Sequence, residues 1–202
     1  MLNDKLKNYH IILASGSPRR QAFFNDLELD FEIQLKPVKE IYPTELTHFE
    51  ISNYLAQLKA VPFKNKLKPK DILITSDTIV WHNNTALGKP KDEQDAFNIL
   101  KSLSNNTHDV ITSVSFTTST FQKTLYSSTK VTFKPLLTKE ILHYIKTYKP
   151  FDKAGAYGIQ EWIGQIGITK IEGSYFNVMG LPTHLVYKTL NTISDLEQIP
   201  LI

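Results

Sequence analysis

Short apolar runs alternate with helical periodicities along the first part of the chain. The run His10–Ala14 is apolar enough for a buried strand, and the small residues of Ser15–Ser17 break it. Pro18 then suits the first turn of a helix, where its missing N–H costs nothing. Apolar residues alternate with polar ones over Asp30–Leu35, which predicts a second strand. Helical spacing over Thr47–Ala60 predicts a second helix that a proline ends.

The middle of the chain continues this alternation. The apolar run Asp71–Thr75 predicts a buried strand, and Thr78–His82 predicts a second extended segment that closes in a turn at two asparagines. Apolar positions over Lys91–Ser104 have the spacing of an amphipathic helix. The strand-like stretches Val110–Phe116 and Thr124–Phe133 are expected to pair across the Ser/Thr-rich turn between them.

The last third of the chain holds two predicted helices with a glycine-rich stretch between them. Thr138 is a good N-cap for the first helix, and Pro182 opens the second. Helices and strands are interleaved throughout, which predicts the mixed α/β class. Without an internal repeat or a convincing linker, residues 1–202 are expected to form a single elongated, two-lobed domain. A cleft between the lobes would be the natural ligand site.

The composition excludes several functional classes. Cysteine is absent from the 202 residues, so we expect no disulfide, thiolate chemistry or cysteine zinc site, and the six histidines lack metal-ligand spacing. No apolar run is long enough to span a membrane, and the polar segment Met1–Tyr9 is not a secretory signal, which predicts a cytoplasmic protein. The net charge of +3 suits a phosphate-bearing ligand but does not indicate a nucleic-acid binder.

Arginine is used only where the first predicted helix begins. Of the 23 basic residues only Arg19 and Arg20 are arginines, which suggests that these sites need the planar fork that grips phosphate or carboxylate. Free N–H groups at a helix start attract anions, and Ser15 adds a hydroxyl donor. A capped helix with two solvated arginines is the alternative interpretation. The scarcity of arginine favours a phosphate site.

A second candidate segment follows the predicted strand Asp71–Thr75. Asp77 is expected at the C-terminal end of this strand, where α/β proteins place catalytic groups. Its carboxylate would deprotonate a water, hold Mg²⁺, or do both. Lys89 follows a turn on a returning strand, which brings it near Asp77. The alternative makes Asp77 a turn-capping residue and Lys89 a surface lysine.

Three further side chains complete the candidates. Gln160 lies in the glycine-rich stretch, and its amide both donates and accepts, as reading the edge of a base requires. Lys59 lies near the end of its predicted helix, where a cation is favoured in any case. Glu40 lies in a loop and, taken alone, would simply be solvated.

Together these segments resemble the Maf family of nucleoside triphosphate pyrophosphatases. The resemblance rests on an ordered set of motifs that spans nearly the whole chain: LASGSPRR from residue 13, LKA at 58–60, SDTIV at 76–80, LGKPKD at 87–92, T-H-x-V at 107–110, DKAGAYGIQ from 152 and NVMGLP at 177–182. It implies a Maf/ITPase-like α/β fold with a mixed sheet and a central cleft. It also implies a cytoplasmic enzyme, often a homodimer, that uses Mg²⁺ or Mn²⁺ to cleave a nucleoside triphosphate between its α- and β-phosphates.

The resemblance assigns a role to each candidate residue. Ser15, Arg19, Arg20, Thr78 and Gln160 fall on substrate-binding positions, and Lys59, Asp77 and Lys89 on catalytic ones, with Glu40 and Asp77 at the metal site. Thr78 together with Gln160 and Arg19 resembles the branch that favours dTTP and UTP. Glutamine after the aspartate would resemble the branch that takes 7-methyl-GTP.

Two departures from the family pattern bear on this assignment. Lys39 precedes Glu40 where the family often shows an acidic pair, so Glu40 is the one acidic residue of that pair here. Glu161 and Trp162 follow Gln160 where glycine is common, a change expected to reshape the pocket wall.

A non-catalytic regulator of cell division that binds nucleotides or nucleic acid is the rival interpretation. The sequence pI of about 8.9 and the phosphate loop would allow it. A binder gains nothing, however, from the Asp77 carboxylate beside phosphates. The sequence therefore predicts a housecleaning hydrolase that acts on dTTP and UTP, including modified pyrimidine nucleotides.

Overall fold

The computed structural model describes residues 1–196. Within them, the α-helices are α1 Leu2–Leu6, α2 Pro18–Asp26, α3 Phe49–Ala60, α4 Glu93–Leu103, α5 Thr138–Tyr148, α6 Trp162–Gly167, α7 Tyr175–Val178 and α8 Thr183–Leu196. Short 3-10 helices cover Val61–Lys66 and Ala154–Ala156. Over this part of the chain, no helix combines the length and the apolar character needed to cross a membrane.

One seven-stranded mixed sheet connects these helices. Its strands are β1 His10–Leu13, β2 Glu32–Ile33, β3 Asp71–His82, β4 Thr85–Leu87, β5 Thr107–Thr117, β6 Gln122–Phe133 and β7 Ile168–Glu172. The order across the sheet is β2-β1-β3-β5-β6-β7, and β4 pairs with β3 off this path. β1 runs parallel to β2 and β3, whereas the other pairs are antiparallel. The predicted mixed α/β class with a mixed sheet is confirmed.

The central strand β3 is continuous over twelve residues, where the sequence predicted two separate strands. Its parallel pairing with β1 stops at the pair Leu13 and Ile74, while its antiparallel pairing with β5 continues to Trp81 and Asp109. The prediction that Asp77 ends a strand is therefore wrong. Asp77 lies in the middle of β3, just past the point where β1 ends, because the ladder to β5 holds the backbone extended beyond that point.

Buried apolar clusters fix the helices on the sheet. One cluster packs α4 and α5 against the start of β5 and the end of β6, and a second packs α1, α2 and α8 around β1. A smaller cluster joins Ile51 and Leu55 of α3 to Ile79 and Ile111 of the sheet. Burial of each such side chain contributes about 1.5–3 kcal/mol. The third cluster presses α3 onto β3, so residues late in α3 lie over the middle of that strand.

The structure differs from several local predictions. The strand expected over Asp30–Leu35 is reduced to Glu32–Ile33, and the N-cap of α5 is Leu137 rather than Thr138. The glycine-rich stretch contains α6, β7 and α7, which its composition did not indicate. Gly155 adopts φ +72°, and a Cβ there would lie 2.7 Å from the side chain of Val80. Glycine thus allows the stretch to fold closely against β3.

Candidate active site

A cavity of about 800 Å³ opens over β3 and brings the candidate residues together. They come from α2, α3, β3, the loop before α3, the segment after β4 and the glycine-rich stretch. The cavity lining includes Ser15, Arg19, Arg20, Glu40, Lys59, Asp77, Thr78, Lys89 and Gln160. Side chains that lie far apart in the sequence therefore face one space.

A largely buried ion pair lines the cavity. The Nζ of Lys59, in the last turn of α3, donates to Oδ1 of Asp77 at 2.7 Å. Burial raises the pKa of the Asp77 carboxyl above its ordinary value, and the charges of Lys59 and Arg20 oppose this rise. Asp77 is therefore a stronger base than an exposed aspartate, which is the property that a general base requires.

Glu40 joins this pair from the loop before α3. Its Oε1 lies 3.2 Å from the Nζ of Lys59, so one ammonium group faces two carboxylates. In the described part of the chain, no three acidic or histidine side chains cluster closely enough to hold a metal ion by themselves. Two carboxylates nevertheless suit Mg²⁺, which proteins often bind through one or two carboxylates together with phosphate oxygens of the substrate.

The two adjacent arginines have different surroundings. Arg20 is partly buried, and it donates to the main-chain oxygens of Gly180 at 2.8 Å and Ser76 at 3.0 Å. It also donates to Oγ1 of Thr78 at 3.0 Å, and its Nη1 lies 3.5 Å from the hydroxyl of Ser15. Arg20 therefore connects α2 to β3 and to the chain at Gly180.

Arg19 makes fewer hydrogen bonds and ion pairs with other protein groups. Its Nε donates to the main-chain oxygen of Met179 at 3.2 Å, and its Nη1 lies 3.5 Å from Oδ2 of Asp152. Its side chain is 30% exposed. Of the two arginines, Arg19 has the N–H groups left to bind a phosphate in the cavity.

Lys89 also faces the cavity without a protein partner. It follows β4, which returns from β3 through the predicted turn at Asn83 and Asn84, both with positive φ. Lys89 is exposed and makes no hydrogen bond or ion pair with any residue of the described range 1–196. Its ammonium group is available to a bound anion.

The cavity also carries two neutral polar side chains, those of Thr78 and Gln160, which we call its neutral end. Oγ1 of Thr78 lies 2.9 Å from Oγ1 of Thr112 on the neighbouring strand. The amide of Gln160 makes no hydrogen bond within residues 1–196. The segment that carries Gln160 is held by Tyr157, whose hydroxyl lies 2.8 Å from Nε2 of the buried His108.

A network of Glu161, Tyr144 and Lys153 supports this segment. Glu161 accepts a short hydrogen bond from the Tyr144 hydroxyl and lies 3.1 Å from the Nζ of Lys153. The Tyr144 hydroxyl in turn accepts from the backbone N–H of Gly158 at 3.0 Å. Neither Glu161 nor Trp162 lines the cavity, although the sequence predicted that they reshape its wall. Any effect of Glu161 on the wall passes through the backbone that it anchors.

The sequence did not identify Asp152 and Lys153 as site residues. Both line the cavity, and Lys153 donates to Asp152 at 2.7 Å although its side chain is only 10% exposed. The one signal for them was their place at the start of the glycine-rich motif. Burial of a lysine cannot be read from that position, because the carboxylate that compensates it, Glu161, lies on the far side of the motif.

Comparison with known proteins identifies the family. The family model of Maf-like proteins matches residues 10–193. The chain is 64% identical over 193 residues to a Flavobacterium johnsoniae protein named dTTP/UTP pyrophosphatase, across 96% of this chain and 100% of the relative. It is 58% identical over 190 residues to a Christiangramia forsetii protein of the same name, across 94% and 97% of the two chains. Among solved structures, it is similar to the Staphylococcus aureus Ham1 protein with a TM-score of 0.47 and 16% identity, over 91% of this chain and 99% of the other. The chain belongs to the Maf family.

Proposed function

We propose that this protein hydrolyses dTTP and UTP to the monophosphate and pyrophosphate, a housecleaning reaction on surplus or damaged nucleotides. The observation that carries the proposal is the ion pair of Asp77 and Lys59, which shares one cavity with Lys89 and the Gln160 amide, neither of which has a protein partner within residues 1–196. The names of the relatives, dTTP/UTP pyrophosphatase, support the same substrates.

Asp77 is the proposed general base. A water oxygen forms a bond to the α-phosphorus and gives its proton to the Asp77 carboxylate, while the bond from the α-phosphorus to the bridging oxygen breaks. Pyrophosphate leaves with that bonding electron pair. The raised pKa of Asp77 makes the carboxylate a better proton acceptor, and the hydrogen bond from Lys59 fixes its orientation.

The cations of the cavity stabilise the charge that grows during this step. Arg19 and Lys89 have N–H groups that can bind the triphosphate directly. Lys59 and Arg20 add positive charge close to Asp77, although their N–H groups hold protein acceptors. Preorganised charge of this kind is the main contribution of proteins to phosphoryl transfer.

We propose a divalent cation, Mg²⁺ or Mn²⁺, as the cofactor. Asp77 and Glu40 would hold this cation, because both carboxylates contact the ammonium group of Lys59. They would supply two of the oxygen ligands of the bound ion. When bound, such an ion neutralises phosphate charge and aligns the reacting groups.

The neutral end of the cavity would bind the base. Uracil and thymine donate from N3 and accept at the flanking carbonyls, and the amide of Gln160 can match both of these groups. Among the described residues that line the cavity, we identify none committed to the ribose 2′-hydroxyl, so we expect little discrimination between ribose and deoxyribose substrates.

A release assay over several nucleotides tests the proposal. The purified protein is given UTP, dTTP, CTP, ATP, GTP and 7-methyl-GTP with Mg²⁺ or Mn²⁺, and pyrophosphate, orthophosphate and monophosphate are measured separately. We expect pyrophosphate and monophosphate in equal amounts, fastest from UTP and dTTP. Orthophosphate release would contradict the bond assignment, and preference for 7-methyl-GTP would contradict the substrate. Binding without turnover would favour the regulator.

We also propose a single domain over residues 1–202, a homodimer and a cytoplasmic location. One sheet that joins the buried clusters at its two ends supports the first of these. A single cooperative thermal transition would agree with one domain. Light scattering of the purified protein gives the subunit number, and cell fractionation gives the location.

A further inference from the structure

We infer that a buried relay fixes the hydroxyl proton of Thr78, so that Thr78 offers the nucleobase an acceptor and not a donor, with Thr112 as the positioning residue. This inference rests on the proposed function, because it concerns how the same cavity distinguishes uracil from cytosine. It adds a residue that does not line the cavity to the groups that determine specificity.

The relay consists of three hydrogen-bond contacts in a row. Thr78 and Thr112 lie opposite each other in the register of β3 and β5, with their Oγ1 atoms 2.9 Å apart. Oγ1 of Thr112 donates to the main-chain oxygen of Asn177 at 3.1 Å. Nη2 of Arg20 donates to Oγ1 of Thr78 at 3.0 Å. Thr112 is completely buried, so no solvent competes for its hydroxyl.

The direction of each proton follows from the chemistry of the end groups. A carbonyl oxygen only accepts and a guanidinium only donates, whereas a hydroxyl carries one proton. Thr112 therefore gives its proton to Asn177 and accepts the proton of Thr78. The reverse direction between the two threonines would leave the carbonyl contact of Thr112 without a proton. The reverse direction therefore has one hydrogen bond fewer in a buried site, which makes it the less stable arrangement.

The polarity of Thr78 has a consequence for the base. With its proton committed to Thr112 and one lone pair used by Arg20, Thr78 has only a lone pair left for the cavity. N3 of uracil or thymine carries a proton that this lone pair can accept. N3 of cytosine carries a lone pair, so the two atoms would repel each other. Gln160 contributes to the same preference once Thr78 orients the base, since its amide alone can rotate to present either a donor or an acceptor.

Replacement of the relay threonine tests the inference. Thr112→Val keeps the branched shape but removes the acceptor for the Thr78 proton, which then becomes available to cytosine. We expect the ratio of kcat/KM for UTP to that for CTP to fall about tenfold, the size of one hydrogen bond, mainly because CTP improves. Thr112→Ser retains a hydroxyl and should keep the ratio of the native protein.

Thr117→Val is the matched control. Thr117 lies on the same strand and is equally buried, but its hydroxyl accepts from Gln122 and does not contact Thr78. The control should leave the ratio unchanged. An unchanged ratio in Thr112→Val, or an equal loss for UTP and CTP with a lower melting temperature, would overturn the inference and leave Thr112 a purely structural residue.

Binding measurements separate this inference from the proposed function. Calorimetry with the α,β-imido analogues of UTP and CTP gives the affinity ratio without turnover. If the native protein releases no pyrophosphate, the proposed function fails. The change of the affinity ratio in Thr112→Val still decides the relay: a fall supports it, and no change contradicts it.

Discussion

The charged and the neutral side chains of the cavity are held in place in different ways. At the charged end, Asp77, Lys59 and Glu40 hold one another through direct ion pairs, so each functional group also supports its neighbour. At the neutral end, the Gln160 amide has no hydrogen-bond partner within residues 1–196, and Thr78 takes its orientation from Arg20 and Thr112. Substitutions at the charged end should therefore change the rate for every nucleotide. Substitutions at the neutral end should change the preference among nucleotides.

Asp77→Asn should have the largest effect. Asparagine keeps the size of the side chain but cannot accept the proton of the attacking water. We expect kcat to fall at least about a hundredfold, the lower end of what a general base contributes. Nucleotide affinity should be kept or increased, because a negative charge beside the phosphates is lost. Pyrophosphate release gives the rate, and calorimetry gives the affinity.

Asp109→Asn is the control for this prediction. Asp109 is also a strand aspartate with a lysine partner, since its Oδ1 lies 3.2 Å from the Nζ of Lys130, but it does not line the cavity. Its substitution should leave kcat unchanged. Equal rates for Asp77→Asn and the native protein would remove Asp77 from the mechanism.

The next largest effect should separate the two arginines. Arg19→Lys keeps the charge but loses the planar fork, and we expect a loss of about 1–3 kcal/mol in transition-state stabilisation, with an unchanged melting temperature. Arg20→Lys should in addition lower the melting temperature. Three different nitrogens of the guanidinium bind the oxygens of Ser76, Thr78 and Gly180, and the single nitrogen of a lysine cannot bind all three at once.

Kinetics and thermal unfolding of both variants check this prediction. If Arg19→Lys has native kinetics, a plain cation suffices at that position. If both variants unfold at the native temperature, Arg20 does not connect α2 to the sheet as its hydrogen bonds indicate.

Gln160→Ala should have a smaller effect, confined to the neutral end. Loss of one amide that reads the base should lower the UTP over CTP ratio by about tenfold, on the scale of one hydrogen bond, and lower the best rate by less. The phosphate-binding groups stay intact. A variant that loses UTP and CTP turnover equally would place Gln160 among the general binding groups, and the contrast between the two ends would fail.

The sequence indicated which residues form the site better than it indicated where in the fold they lie. Apolar runs and helix periodicity located α2, α3, α4 and the hairpin of β5 and β6, because each of these elements buries a face that its own sequence marks. Scarce arginines and an aspartate predicted at the end of a strand indicated the site, and the cavity brings the candidates together.

Long-range pairing accounts for what the sequence could not show. Asp77 lies inside β3 because β5, more than thirty residues later, extends the strand. The difference between Arg19 and Arg20 arises from backbone oxygens near residue 180. The partners of Lys153 and Thr78 are likewise fixed only when distant segments meet. Such support carries no local signal in the sequence.

The smallest expected effect is a shift in the titration of Asp77, and it examines the charged end from within. In the metal-free protein, the pKa of Asp77 should lie above the ordinary aspartate value because burial disfavours its charged form. Glu40 raises this pKa further by repulsion, and Lys59 lowers it by attraction and by its hydrogen bond.

Glu40→Gln and Lys59→Met should therefore move the pKa of Asp77 in opposite directions. Removal of the Glu40 charge lowers it, so more of the carboxylate is ionised at a given pH, whereas removal of Lys59 raises it and reduces the ionised fraction. The shift in Glu40→Gln should be the smaller one, since Lys59 acts on Asp77 through direct contact and Glu40 does not. Carbon-13 NMR of the Asp77 carboxyl, recorded with a chelator present, measures both shifts. If both substitutions shift the pKa of Asp77 in the same direction, Lys59 does not stand between two carboxylates. The ion pairs that distinguish the charged end from the neutral end would then be absent.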